Sequence, residues 1–274
     1  MNRQELFAEI QQRQSFLCVG LDTDAAKLPP CLAGEPDPLF AFNRAIVDAT
    51  AECCVAYKPN LAFYEAHGVE GLRALQRTVE YIRARHPGKL LIADAKRGDI
   101  ANTADMYAKS LLADIDFDAV TLSPYMGRDS VSPFLRHEGK WAILLALTSN
   151  ASYSDFQTLP VGGGKQLFEA VLQTSQAWGS TDNLMYVVGA THPEMLDRVR
   201  AAAPEHFLLV PGVGAQGGSL EEVARHAMNP HCGLLVNSSR GIIYADSSPR
   251  FAEVAGEKAR EMQREMAEYL ERYL

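Results

Sequence analysis

Short apolar runs recur along the whole chain, and each one ends in polar residues or in a Gly/Pro cluster. Most of the runs are continuously apolar rather than alternating, which is typical of parallel strands that are buried on both faces. The eight runs cover residues 16–21, 53–57, 90–93, 119–122, 142–147, 185–188, 207–210 and 233–236.

Segments with the apolar spacing of an α-helix lie between these runs. They cover residues 38–51, 69–85, 102–113, 165–178, 193–202 and 220–228, and residues 250–273 form one long closing helix. Repeated strand–helix alternation without a linker predicts a single (β/α)8 TIM barrel over residues 1–274. A doubly wound open sheet is the alternative, because a sequence does not show whether a sheet closes.

The charge of the chain limits its partners. Its 274 residues include 26 Lys and Arg against 34 Asp and Glu, which gives a formal charge of −8. Nucleic-acid binding needs a basic surface, so we expect no nucleic-acid partner. A small anionic substrate remains possible, because local lysines and backbone N–H groups bind phosphate even in an acidic protein.

The cysteines and the N-terminus indicate a compartment. The cysteines are odd in number, form no C-x-x-C pair and fall mostly in apolar runs, which favours a reduced, cytosolic protein. The first residues, MNRQELFAEIQQRQ, are typical of a polar amphipathic helix rather than a signal peptide. No apolar run approaches the ~20 residues that cross a bilayer. We therefore expect a soluble cytoplasmic protein without a membrane partner.

The residues that follow the apolar runs are the candidates for chemistry, because barrel enzymes place their sites at the carboxyl ends of the strands. The densest cluster follows the third run, where Asp94 and Lys96 are two apart and project to the same side of a strand. Lys58 ends the neighbouring run and places a second ammonium group beside Asp94. A purely structural ion-pair network is the alternative. Asp99, before the next helix, is a further candidate whose alternative role is a helix N-cap.

A glycine-rich loop follows the seventh run, with the sequence Pro211-Gly212-Val213-Gly214-Ala215-Gln216-Gly217-Gly218. It matches G-x-G-x-x-G, but its late position and the missing carboxylate after the next run argue against a dinucleotide site. Barrels often bind phosphate with the loops after strands seven and eight. The sequence therefore predicts a phosphate site with Gly214, Gly217, Gln216 and Arg240, and a plain flexible loop is the alternative.

The remaining motifs indicate neither a metal nor a covalent nucleophile. The seven histidines have no H-x-H or H-E-x-x-H spacing, and the cysteines lack ligand spacing. No G-x-S-x-G elbow occurs. We expect no metal and no cofactor.

The pattern Asp-x-Lys-x-x-Asp-Ile at residues 94–100, with Lys58 ending the second run, resembles the active-site signature of the orotidine 5'-phosphate decarboxylases. The stretch Tyr57-Lys58-Pro59-Asn60, followed by Phe63-Tyr64-Glu65, is similar to the longer bacterial subgroup of that family. The resemblance covers residues 22–240. It implies conversion of orotidine 5'-phosphate to uridine 5'-phosphate and CO2 in de novo pyrimidine biosynthesis, without a cofactor.

The resemblance also implies roles for the charged residues. Lys96 would protonate C6 of the pyrimidine, Asp94 would lie beside the departing carboxylate, and Lys58 would hold Asp94 and a ribose hydroxyl. Asp99 and Thr103 would come from the partner subunit of a homodimer. They are four residues apart and can share a helix face if a helix begins at Asp99.

The same resemblance assigns the rest of the ligand. Asp22 would bind the other ribose hydroxyl, Gln216 and Arg240 would bind the phosphate, and Ser149 would contact the pyrimidine. The stretch 150–164 departs from the shorter family members, so its role is open.

Two other functions remain as alternatives. One is a metal-dependent sugar-phosphate decarboxylase or epimerase on a similar barrel, for which we expect a Glu near the position of Lys58. The other is a non-catalytic nucleotide-binding barrel.

Overall fold

Eight parallel strands form a closed barrel in the computed structural model, which describes residues 1–190, 193–214 and 217–274. Neighbours in sequence are neighbours in the barrel, and β1 pairs with both β2 and β8. The strands are β1 (Leu17–Leu21), β2 (Ala56–Pro59), β3 (Leu90–Arg97), β4 (Ala119–Leu122), β5 (Trp141–Leu147), β6 (Leu184–Val188), β7 (Leu208–Pro211) and β8 (Leu234–Ser238). The predicted TIM barrel is confirmed, and the open sheet is wrong.

The strands are buried on both faces, which explains why their sequences are continuously apolar. Every residue of β1, β2, β4, β6 and β8 is buried. One face fills the barrel interior, and the other packs against the surrounding helices. Polar residues enter β3 only from Asp94 onward, where the strand reaches the open end of the barrel. The sequence therefore marks the carboxyl-terminal end by a change from apolar to charged residues.

Helices surround the barrel, and several begin with side-chain caps. Asp37 accepts a hydrogen bond from the backbone N–H of Phe40, and Ser219 accepts one from Glu222. The helices are α1 (Arg3–Arg13), α2 (Pro38–Thr50), α3 (Leu61–Glu65), α4 (Gly68–Arg85), α5 (Ala101–Ala108), α6 (Arg128–Leu135), α7 (Leu167–Ser175), α8 (Pro193–Ala202), α9 (Leu220–Ala227), α10 (Arg240–Ile243) and α11 (Phe251–Tyr273).

The predicted long closing helix is α11, and it packs closely against α2. A Cβ at Gly256 would lie 2.8 Å from the carbonyl oxygen of Ala49, so the two helices meet where this glycine allows close approach. Helix α1 buries Leu6 and Ile10, and the indole of Trp141, at the start of β5, donates to the carbonyl of Met1 at 2.8 Å. The N-terminal segment therefore packs at the amino-terminal end of the barrel, opposite the charged end.

Some element boundaries differ from the sequence prediction. The helix expected over residues 102–113 is α5 followed by one π-helical stretch, Lys109–Asp114. The helix expected from residue 165 begins at residue 167, because a small hairpin of Pro160–Gly162 and Lys165–Gln166 precedes it. None of the helices in the described part of the chain is long and apolar enough to cross a membrane.

Candidate active site

A cavity of about 890 Å³ opens at the carboxyl ends of the strands. Its wall combines charged residues from the first three strand ends with apolar residues from β5, β6 and β7. The charged and hydroxyl residues include Asp22, Lys58, Asp94, Lys96 and Thr121. The apolar residues include Leu145, Val187 and Leu209. The cavity can therefore hold a ligand with one flat apolar part and several charged or polar groups.

Asp94 joins two ammonium groups. Lys58 Nζ donates to Asp94 Oδ2 at 2.7 Å, and Lys96 Nζ donates to Asp94 Oδ1 at 2.6 Å. Thr121 Oγ1 also donates to Oδ1, at 3.0 Å. The contact predicted from the strand ends is present, and these three charged groups form an alternating array. Each charge is held in place by its neighbours.

The environment sets the ionisation of this array. Burial alone opposes the charged form of Asp94, but Lys58 and Lys96 outweigh it and lower the pKa of the carboxyl group to about 2. Burial opposes the charged form of Lys58 as well, and the Asp94 and Asp22 carboxylates outweigh it and raise its pKa. Both groups are therefore ionised at neutral pH, and the array carries fixed charges in a partly water-excluded site.

Lys96 has an unusual backbone. Its φ is +47°, in the left-handed region that non-glycine residues rarely adopt. The pairing of β3 with β4 shifts in register between Ala93 and Arg97, as in a β-bulge, and the backbone N–H of Lys96 donates to Thr121 Oγ1 at 2.9 Å. The regular alternation of side chains along a strand therefore does not account for the direction of the Lys96 side chain. The bulge directs the half-exposed ammonium group to Asp94 in the cavity wall.

Asp22 follows β1 and has an unused acceptor. Its Oδ1 lies 3.8 Å from Lys58 Nζ, which is an ion pair but too long for a hydrogen bond. The same atom is buried and has no hydrogen-bond partner among residues 1–190, 193–214 and 217–274. It can therefore accept a hydrogen bond from a ligand hydroxyl.

Ser149 lies on another side of the cavity, after β5. Its hydroxyl is buried and finds no hydrogen-bond partner within the described residues. It fits against Gly189, where a Cβ would lie 2.1 Å from Ser149 Oγ. A glycine at this position leaves room for the hydroxyl group at the cavity wall.

The described glycines of the loop after β7 are joined by backbone hydrogen bonds. Gly212, Gly214 and Gly217 all have positive φ. The Gly214 N–H donates to the Gly218 carbonyl at 3.0 Å, and the Gly217 N–H donates to the Gly214 carbonyl at 2.9 Å. These amides are thus used within the loop, and a phosphate would bind them only after the loop opens. The predicted ligand Gln216 lies outside the described residues.

Arg240 is the first residue of α10, after β8, and it lines the same cavity. Its side chain is exposed, and it makes no ion pair with the residues described. Its strand is three places from β3 around the barrel. The cavity therefore has a further cation, which follows a strand two places from that of Lys58 and forms no ion pair with the residues described.

Asp99 and Thr103 do not line the cavity of their own chain. Within the described residues, Asp99 accepts a hydrogen bond from the backbone N–H of Ile100, at 2.8 Å, and from no other group. Ile100 occupies the N-cap position of α5, so the N-cap alternative for Asp99 is wrong. The helix begins at Ala101, which has a φ of +49°, so Asp99 and Thr103 do not share a helix face.

Thr121 and Gln157 are among the cavity residues that the sequence did not predict. Thr121 interrupts an apolar run, and this hydroxyl among apolar neighbours was a usable signal. Gln157 lies in the stretch whose role was open, and no motif marked it. The described residues contain no group of three or more His, Cys, Asp or Glu side chains arranged to hold a metal ion. Lys58 instead lies between the Asp22 and Asp94 carboxylates.

A closed (β/α)8 barrel with ionised groups at the carboxyl ends of its strands is typical of the barrel enzymes. The comparison with known families narrows this class. The chain belongs to the Orotidine 5'-phosphate decarboxylase / HUMPS family, which matches it over residues 15–253.

Named relatives and solved structures agree with the family. The chain is 57% identical to an orotidine 5'-phosphate decarboxylase of Bacteroides fragilis over 274 residues, covering all of both chains. It is 60% identical to the protein of that name from Parabacteroides distasonis, covering 98% of this chain and 96% of the relative. The structure of Leishmania donovani OMP decarboxylase superimposes with a TM-score of 0.81 at 38% identity, covering 96% of this chain and 99% of that one. The predicted family is thereby confirmed.

Proposed function

We propose that this protein decarboxylates orotidine 5'-phosphate to uridine 5'-phosphate and CO2 in de novo pyrimidine biosynthesis. The observation that carries the proposal is the hydrogen-bonded array in which Asp94 joins Lys58 and Lys96 inside the cavity. Relatives that share more than half of their residues with this chain, over nearly its whole length, are named orotidine 5'-phosphate decarboxylase. The array supplies the charges that the chemistry needs.

Lys96 is proposed to act on C6 of the pyrimidine. When the bond from C6 to the carboxylate breaks, CO2 leaves and the electron pair stays on C6, where the ring cannot easily delocalise it. A fixed ammonium group beside C6 stabilises this charge and then transfers a proton to it. Lys96 is left neutral and regains a proton from water, which reaches its half-exposed side chain.

Asp94 is proposed to lie beside the departing carboxylate. Its low pKa keeps it ionised, so it repels the substrate carboxylate, and this repulsion ends when neutral CO2 forms. Lys58 is almost fully buried and holds Asp94 in position through the 2.7 Å hydrogen bond. The two residues therefore fix the charge distribution before the substrate binds.

The array does not supply the whole rate enhancement. One well-placed charge contributes about 3–4 kcal/mol, whereas enzymes lower barriers by roughly 8–23 kcal/mol. We assign a further part to binding of the remote phosphate, which closes the site and excludes water.

Phosphate binding is assigned to the end of the cavity at Arg240, and ribose binding to Asp22 beside Lys58. Arg240 has no ion-pair partner in the described part of the chain and is proposed to bind the phosphate together with Gly214, Gln216 and Gly217. Asp22 is proposed to accept a hydrogen bond from a ribose hydroxyl through its unused oxygen. Opening of the loop hydrogen bonds would free the glycine amides for the phosphate.

A homodimer is proposed to complete the site with Asp99 and Thr103 of the partner subunit. Large apolar side chains are exposed on the same part of the surface, after β3 and β4. They are Ile100, Met106, Tyr107, Tyr125 and Met126, and Tyr125 is 87% exposed. An exposed cluster of apolar side chains of this kind is typical of an interface between subunits.

A reducing, cytoplasmic location is proposed because all five cysteines are free thiols and Cys31 is exposed.

The direct test is an assay of purified protein with orotidine 5'-phosphate, before and after dialysis against a chelator. We expect loss of the substrate with equal formation of uridine 5'-phosphate at an unchanged rate after dialysis. Activity that disappears with the chelator would favour a metal-dependent barrel enzyme. Tight uridine 5'-phosphate binding without turnover would favour a nucleotide-binding barrel.

A further inference from the structure

The segment that follows β5 is held by one distant side chain. Gln157 Oε1 accepts a hydrogen bond from the backbone N–H of Thr148 at 2.8 Å. Gln157 Nε2 donates to Thr148 Oγ1, also at 2.8 Å, and that hydroxyl donates to Asn150 Oδ1 at 2.5 Å. Both polar ends of one side-chain amide are therefore bonded to a single residue, which lies next to Ser149.

Gln157 is itself anchored to a helix. Its backbone carbonyl accepts a hydrogen bond from the N–H of Phe168, in the first turn of α7, at 2.9 Å. The side chain of Phe168 is fully buried, so this end of the connection is fixed to the core. Gln157 thus links a helix to the end of β5 through two sets of hydrogen bonds.

Core packing holds the rest of this stretch only weakly, through the half-buried Tyr153. No residue of the 3-10 helix Ala151–Asp155 is buried, and the hairpin strand Pro160–Gly162 is exposed. Three consecutive glycines with positive φ follow, at residues 162–164. Because core packing contributes so little after β5, the position of residues 148–150 depends strongly on the hydrogen bonds to Gln157.

The residue that Gln157 can position through Thr148 is Ser149, whose hydroxyl group is unpaired in the described part of the chain. Its buried hydroxyl lacks a partner in the described residues, although an unpaired buried polar group destabilises a fold. Gly189 keeps free the space that this hydroxyl occupies, because a Cβ there would lie 2.1 Å from it. Ser149 therefore lines the cavity with a hydroxyl group whose hydrogen-bonding capacity is unused in the described residues.

We propose that Gln157 is a positioning residue that acts through Thr148 to present Ser149 to the base of the nucleotide. The inference rests on the proposed function for the nature of the ligand. The base has oxo and N–H groups along one edge, and a serine hydroxyl can donate to the first and accept from the second. Gln157 would thus contribute to recognition of the base and not to recognition of the ribose phosphate.

Two ligands, one with the base and one without it, test this role. Uridine 5'-phosphate carries the base, whereas ribose 5-phosphate lacks it. In Gln157→Ala we expect affinity for uridine 5'-phosphate to fall about tenfold, the equivalent of one hydrogen bond. Affinity for ribose 5-phosphate should stay within about twofold, because its contacts lie elsewhere in the cavity. Both are measured by calorimetry, together with thermal unfolding.

Two further variants test whether the loss of affinity in Gln157→Ala comes from the lost hydrogen bonds to Thr148. Gln76→Ala removes an exposed glutamine of α4 whose side chain donates a hydrogen bond to Glu80, far from the cavity lining, and it should change neither affinity. Gln157→Glu keeps an acceptor for the Thr148 N–H and should recover part of the lost affinity. A Gln157→Glu variant as weak as Gln157→Ala would indicate direct contact of the amide with the base and would overturn the positioning role.

An equal fall in affinity for both ligands, or no change in either, would also overturn the inference. The decarboxylation assay of the wild-type protein separates this result from a failure of the proposed function. If uridine 5'-phosphate affinity depends on Gln157 as expected but the wild type does not consume orotidine 5'-phosphate, the activity is refuted and the positioning role stands.

Discussion

The left-handed backbone of Lys96 predicts a reversal of the usual order of glycine and alanine. In an ordinary strand, a glycine makes the folded protein less stable than an alanine does, by about 0.5–1 kcal/mol. At a left-handed φ such as the +47° of Lys96, a side chain instead costs about 1–2 kcal/mol. We therefore expect Lys96→Gly to be more stable than Lys96→Ala by about 1 kcal/mol, which raises Tm by roughly 2–4 °C.

The comparison isolates the backbone. Both variants lose the ammonium group and its hydrogen bond to Asp94, so that loss cancels between them. Ala95→Gly is the matched control, because Ala95 lies in the same strand without a positive φ, and it should be less stable than the wild type. Thermal and urea unfolding of the four proteins give the order. A Lys96→Ala variant as stable as Lys96→Gly would refute the reasoning that the active-site backbone is strained.

Three further predictions concern binding, assembly and pH. Arg240→Ala should lower affinity for uridine 5'-phosphate and leave that for uridine unchanged, measured by calorimetry; equal wild-type affinity for both ligands would contradict the phosphate site. Mixed inactive Lys96→Ala and Asp99→Ala proteins should recover about a quarter of wild-type activity if subunits exchange in a dimer that shares its sites. No recovery after subunit exchange has been verified would contradict the shared site. Burial, with help from Arg200, lowers the pKa of His206 to about 4, so the folded state disfavours its charged form and stability falls as pH drops from about 6.5 to about 4, by about 3 kcal/mol. His206→Phe, which keeps a ring against Tyr186, should lack this part of the pH dependence in urea unfolding.

The barrel and the centre of its site follow from the sequence for a physical reason. Strands buried on both faces must be continuously apolar, so the first charged residue after each run marks the open end of the barrel. Lys58 and Asp94 follow the apolar runs of two neighbouring strands, and their contact at 2.7 Å follows from that adjacency.

Other features depend on local geometry that no residue pattern records. The bulge at Lys96 arises from pairing between β3 and β4, and a strand rule that assumes regular alternation does not include it. The N-cap alternative for Asp99 was wrong because the chain enters α5 two residues later, with Ile100 extended and Ala101 at positive φ. Gln157 reaches Thr148 from nine residues away through an exposed loop, so neither periodicity nor a motif marks it.

The central claim is that the Lys96 ammonium group protonates C6 after CO2 has left. The most direct measurement compares turnover of orotidine 5'-phosphate and affinity for uridine 5'-phosphate in the wild type and in Lys96→Ala. The account predicts that turnover is lost while nucleotide binding persists, because Lys58, Asp22 and Arg240 remain in the cavity. Turnover near the wild-type rate in Lys96→Ala would contradict it.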